Sequence, residues 1–256
     1  MKKSRIQLII GAIISAVLII SIFALINYKN KQVDVASDHG KPSIEGKVDE
    51  QKENEEQKIP EVVEEPEVKP DQNGYIPNQT LPTEPTYING ILLADKKYPL
   101  PSTYAPGVDQ DAQNALNTML IAAKKDGFDL VAFSGYRSFE YQTTLYSNYV
   151  NRDGVGAADR YSARPGYSEH QTGLAFDIGE KGKEDLWLTE EFGESPAGQW
   201  LVAHANEYGF ILRFPKDKEH ITGYMYESWH FRYVGVEVAN EIKQREITLE
   251  EYLGVN

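Results

Sequence analysis

The chain is divided by charge and apolarity so unevenly that only its C-terminal two thirds can fold around a core. From Ile6 to Ile26 runs a stretch of 21 residues without one charged side chain, long enough to cross a bilayer as a helix. Lys2, Lys3 and Arg5 precede it, which keeps the short N-terminus cytoplasmic and sends the rest outward. A cleaved signal peptide is the competing reading. Against it, the apolar run exceeds a usual signal core and no small-x-small site precedes Asn27. Residues 1–31 are therefore read as a cytoplasmic stub and membrane anchor. Between Lys31 and Pro85 stand fourteen acidic and five basic residues, with scattered prolines and few aromatics. Such a segment buries too little apolar surface to offset its chain entropy, so residues 32–84 are expected to be a disordered acidic linker. Residues 85–256 hold all three tryptophans and most other aromatics, enough for one domain.

Composition narrows the chemistry of that domain. The formal net charge is -13, which sets nucleic acid aside as a partner. There is no cysteine, so disulfides, thiolate metal sites, a cysteine nucleophile and a lipoprotein anchor are all excluded. Any metal must be held by His, Asp or Glu.

Helical spacing puts Ala112, Ala115, Leu116, Met119, Leu120 and Ala123 on one face of residues 109–125, with Gly127 as a stop. The run 130–133 reads as a buried strand. Ser138 can cap a second helix to about Asn148, with Leu145, Tyr146 and Tyr149 turned inward. Ser195 and Pro196 open a third, closed by Gly209, whose inner face carries Trp200, Leu201, His204 and Tyr208. Residues 210–212 and 230–235 read as strands. The irregular alternation predicts an α+β domain; the order of its strands does not follow from sequence.

Of five histidines, His39 falls in the linker, His204 on an apolar helix face and His220 in the charged run KDKEH. His170 and His230 remain. His170 opens a turn in SEHQTGLAFD, whose LAFD portion alternates as a strand and is expected to end on Asp177. With His230, 53 residues further on, these make a His-Asp-His set that leaves a fourth position open, the pattern of catalytic zinc. Glu227, three residues before His230, is placed to act as a base, and Trp229 to exclude water. Arg137, in SGYRS where strand gives way to helix, can grip a substrate carboxylate by paired hydrogen bonds, with Gln142 one turn on to help. Spacing alone leaves other roles open: a turn carboxylate, a surface charge and a salt-bridge partner.

SGYRS, SEHQTGLAFD and ESWHFRYVG, in that order, resemble the VanY-type D-alanyl-D-alanine carboxypeptidases of peptidase family M15, from about Tyr87 to the C-terminus. The resemblance implies a small domain with a central antiparallel sheet flanked by helices. It also implies one zinc ion on His170, Asp177 and His230, Glu227 as catalytic base, and Arg137, Gln142 and Ser168 toward the substrate. Peptidoglycan stem peptides are the implied partners. One departure is Ser228, where many relatives have proline. The family includes D,D-carboxypeptidases, the first expectation, and L,D-carboxypeptidases that act on tetrapeptide stems. A wall endopeptidase and a non-catalytic wall-binding domain are further alternatives.

Overall fold

The computed structural model describes residues 69–255. Its centre is a four-stranded antiparallel sheet of β3 (Leu130–Ser134), β4 (Ala175–Glu180), β6 (His230–Tyr233) and β5 (Phe210–Leu212), in the order β3-β4-β6-β5. A hairpin of β1 (Thr86–Ile88) and β2 (Ile91–Leu93) stands apart from it. Helices accompany these antiparallel sheets, which is the expected α+β arrangement.

The first helix, α1 (Gln110–Lys125), follows its sequence pattern closely. Asp109 caps it by accepting from the Ala112 amide at 2.9 Å, and Ala112, Leu116, Met119 and Ala123 are buried. They meet Phe176, Ile178 and Phe231 of the sheet, and α5 (Pro196–His204) adds Trp200 and Leu201 to the same core. Each large apolar side chain so buried contributes roughly 1.5–3 kcal/mol. A second cluster joins Leu93 and Ile211 to α7 (Val236–Arg245) and α8 (Leu249–Leu253); the single-turn helices α4 (Glu191–Glu194) and α6 (Glu219–Thr222) precede α5 and α7 in the chain.

Four local features differ from expectation. The second helix, α2 (Phe139–Asp153), is capped by Ser138 as foreseen but continues past Asn148 to Gly154, whose φ is 81°. Only Gln142 on it is buried. Leu145 and Tyr149 stay half-buried because this helix, with α3 (Val155–Tyr161), walls a cleft rather than the core. On α5, His204 leans on Trp200 and pairs with Glu207, its side chain 41% exposed. A titratable ring with a nearby carboxylate keeps its polar edge in water. Asp177 lies inside β4 rather than at its end, because β3 pairs with the strand as far as Glu180. Finally, the chain packs on the domain before Pro85. Tyr75 is 1% exposed, its ring edge-on to Tyr167 at 5.0 Å with the Arg164 guanidinium 3.9 Å above it.

Among the described residues no helix is long and apolar enough to cross a membrane. The run 6–26, His39 and the rest of the chain to residue 68 lie outside the described residues.

Between the two site-bearing segments, Gly173 turns the chain into β4. Its φ is 74°, and a Cβ there would stand 2.0 Å from the Gly107 carbonyl oxygen. Gly173→Ala is therefore expected to destabilise the domain by about 2 kcal/mol or more, read as a lowered Tm; an unchanged Tm contradicts this packing.

Candidate metal centre

Three segments distant in sequence deliver the site. Asp177 pairs across the sheet with His230 on one side and with Ser134 on the other. Antiparallel pairing places opposed side chains on one face only about 5 Å apart, so a carboxylate and an imidazole 53 residues apart must meet. His170 comes from a 3-10 turn, Glu169–Thr172, whose His170 carbonyl accepts from the Arg137 amide at 3.2 Å. Glu227 and His230 are held together by a turn in which the His230 amide donates to the Glu227 carbonyl at 3.2 Å.

Ligand atoms of His170, Asp177 and His230 all lie within 4.8 Å of one another, and all three residues are buried. Nδ1 of His170 stands 2.7 Å from the Gly135 carbonyl. A carbonyl can only accept, so Nδ1 carries the proton and Nε2 faces the site with its lone pair. On His230 the roles of the ring nitrogens are reversed. Nε2 faces the Glu169 carboxylate at 3.2 Å, leaving Nδ1 toward Asp177. Oδ1 of Asp177 lies 3.3 Å from His170 Nε2 and 3.2 Å from His230 Nδ1. Despite these distances it is a buried oxygen without a properly aligned hydrogen bond. An oxygen so placed between two imidazole nitrogens fits a shared cation better than a shared proton.

The electrostatics agree. Burial opposes charge on Asp177, yet the adjoining imidazoles hold its carboxyl well below the usual range. Burial also opposes charge on His230, but Asp177 and Glu169 push it up to about 9. His170 moves the other way, to about 4, through burial and then the Arg137 guanidinium. The position between Asp177 and His230 thus favours an added positive charge. Glu227 Oε2 stands 3.7 Å from His230 Nδ1, and burial pushes its carboxyl up to about 7.

Arg137 donates from Nη2 to Asp177 Oδ2 at 2.8 Å, with His170 Nε2 also at 2.8 Å. Gln142 is buried rather than exposed to a substrate. Its Oε1 accepts from Arg137 Nη1 at 3.3 Å and its Nε2 donates to the Ala163 carbonyl at 2.8 Å, so it positions the guanidinium. Ser168, Arg137, Glu227 and Trp229 line a cleft of about 550 Å³ that also contains the three metal-site residues. Ser228, wholly buried, donates to the Thr189 carbonyl at 2.8 Å, so the hydroxyl finds a partner where proline would need none.

Residues 106–236 match the model of the VanY family, described as D-alanyl-D-alanine carboxypeptidase. The chain belongs to the VanY family. It is 42% identical to YodJ of Bacillus subtilis over 183 residues, 64% of this chain and 67% of that one. Among solved structures it is similar to the LD-carboxypeptidase LdcB, at 50% identity and a TM-score of 0.59, covering 65% of this chain and 86% of that one. It is also similar to a variant of the vancomycin-resistance D,D-pentapeptidase VanY in complex with Zn(II). There the identity is 34% and the TM-score 0.54, with 63% of this chain and 97% of that one covered. With the family and the complete metal set established, this VanY-family chain is a hydrolase, a metallo-carboxypeptidase.

Sequence reasoning missed the layer behind His230: Glu169, Arg213, Arg232 and Glu250, all buried. Glu169 adjoins His170 in the motif, and that adjacency was its only signal.

Replacing Glu227 by Gln keeps shape and removes the carboxylate that the sequence marks as the expected base. Turnover should fall by roughly 10²–10⁴-fold while metal content stays at the parental level; undiminished turnover in the loaded variant would exclude Glu227 as the base.

Proposed function

We propose that the chain is a zinc-dependent carboxypeptidase that removes a C-terminal D-alanine from peptidoglycan stem peptides, with the tetrapeptide stem as its preferred substrate. The observation that carries the metallo-peptidase reading is the unpaired Oδ1 of Asp177 between two imidazole nitrogens, with a carboxylate of raised affinity for protons beside them. His170, Asp177 and His230 would hold the zinc, which would supply a Lewis acid to polarise the scissile carbonyl and acidify water.

The chain's own residues do the rest. Glu227, with its carboxyl near 7, takes a proton from the attacking water at neutral pH and returns it to the departing amine. Arg137 is held on three sides by Ser134, Gln142 and Asp177, so its guanidinium meets the substrate already oriented. It grips the carboxylate end or the developing oxyanion at little further cost in side-chain freedom. Trp229 closes the cleft beside Glu227 against bulk water.

Preference for the tetrapeptide revises the D,D expectation. It is supported by identity of 50% to an LD-carboxypeptidase against 34% to a D,D-pentapeptidase. Leu145, Tyr149 and Tyr161 also line the cleft, and we take this wall as the side that faces the diamino-acid side chain preceding the cut in a tetrapeptide. Cleavage of D-alanyl-D-alanine is the second reading, favoured by the description of the matched family. Purified zinc-loaded protein given each stem separately should release free D-alanine faster from the tetrapeptide, and a chelator should abolish it. Faster release from the pentapeptide would establish the second reading instead.

The apolar run 6–26 is taken to anchor the chain in the cell membrane, leaving the catalytic domain outside. The acidic segment up to residue 68 is then taken as a leash whose typical span is roughly 35 Å, enough for the domain to sample wall above the lipid surface. Protease added to intact protoplasts should remove the domain from the cell surface; full protection would place it inside and overturn this topology.

A further inference from the structure

Behind the metal-facing side of His230 lies a chain of charges that the reaction does not touch. Glu169 places Oε2 3.2 Å from His230 Nε2. Its other oxygen, Oε1, accepts from Arg213 Nε at 2.7 Å and from Arg232 Nη1 at 2.8 Å. Arg213 turns its two terminal nitrogens onto Glu250, at 3.0 and 2.5 Å. Arg232 donates from Nη2 to the Leu92 carbonyl at 2.6 Å. All four charged side chains are buried. Glu250 belongs to α8, the last helix, and Leu92 to the β1–β2 hairpin. Both lie outside the residues 106–236 that match the family.

The order of charges matters more than their number. Glu169 is shared between one imidazole and two guanidinium groups, with its two oxygens divided between them. A carboxylate drawn harder to its arginines accepts less strongly from an imidazole N–H. Glu250 engages both terminal nitrogens of Arg213, which reduces the pull of that arginine on Glu169. Removing the Glu250 charge would leave Arg213 with Glu169 as the one carboxylate in direct contact among the described residues, and a buried cation without enough counter-charge reorganises its surroundings. A carboxylate behind a metal-bound histidine fixes which ring nitrogen faces the metal and how basic it is.

We infer that Glu250 and Arg213 are positioning residues for the metal centre: through Glu169, the C-terminal helix sets the orientation and ligand strength of His230. The inference rests on the zinc reading given above. It makes α8 a support of the metal centre, although none of its residues lines the cleft. Coupling of this kind is reciprocal, so zinc must also steady α8.

Three measurements on the full chain test it: amide hydrogen exchange with and without zinc, zinc affinity by competition with a chelator, and Tm. Zinc should slow exchange at the amides of α8. Glu250→Gln should weaken zinc binding by about tenfold or more. Leu253→Ala, which removes a buried side chain from the same helix without touching the charges, should lower Tm but weaken zinc binding far less than Glu250→Gln does. The inference is overturned if the parent binds zinc with no change in α8 exchange, or if Leu253→Ala weakens zinc as much as Glu250→Gln. Should Glu250→Gln fail to fold, exchange in the parent decides alone. A parent chain that takes up no zinc overturns the zinc reading, and this inference with it.

Discussion

Everything at the site depends on the register of β4 against β6. In an antiparallel ladder the side chain of each residue shares its face with its opposite number, and a slip of one residue sends every side chain to the other face. Asp177 opposite His230 is thus a condition and not a detail: with any odd slip the carboxylate would enter the apolar core and Phe176 would enter the cleft. The register is held from both faces. Phe176 and Phe231 lie buried against α1 and α5 on the core side, and on the other the polar set has nowhere else to find partners. Hydrophobic packing therefore sets the metal geometry from behind.

The site also shows how a protein accommodates charge where water is absent. Asp177, Glu169, Arg213, Arg232 and Glu250 are all almost inaccessible, and an isolated buried ion costs several kcal/mol even after relaxation. Each acid here touches at least one arginine, whose planar fork can serve two acids at once. Arg213 does so between Glu169 and Glu250. Such arrays add little net stability compared with apolar packing. Their value lies in permitting a single arrangement, which is what a metal ligand needs from its surroundings.

Much of this was legible in the chain because it depends on local chemistry. The caps at Ser138 and Ser195 act through side-chain oxygens on amides three residues away, and the apolar stripe of α1 repeats at the helical period. The metal ligands and Glu227 stood out because their motifs are long and close to the family pattern. What sequence could not supply was tertiary. Glu169 and Arg213 look like surface charges until the fold buries them together. Gln142 was placed toward substrate, but the orientation of α2 turns it beneath Arg137. Leu145 and Tyr149 have the spacing of core residues, and only the shape of the cleft shows that their inner face meets substrate space. His204 was assigned to the interior by its neighbours, yet one carboxylate a turn away was enough to keep its edge in solvent.

The early docking of the N-terminal segment has a mechanical side. Tyr75 is gripped by Tyr167 and Arg164, and Lys96 ties down Asn73 through its backbone carbonyl at 2.9 Å. Tyr167 is itself part of the cleft wall. Tension applied from the N-terminal side therefore reaches the domain first at this aromatic and cationic clasp, ahead of the β1–β2 hairpin and the sheet. Among the described residues the clasp is the outermost hold of the chain on the domain, and through Tyr167 it shares a side chain with the cleft wall.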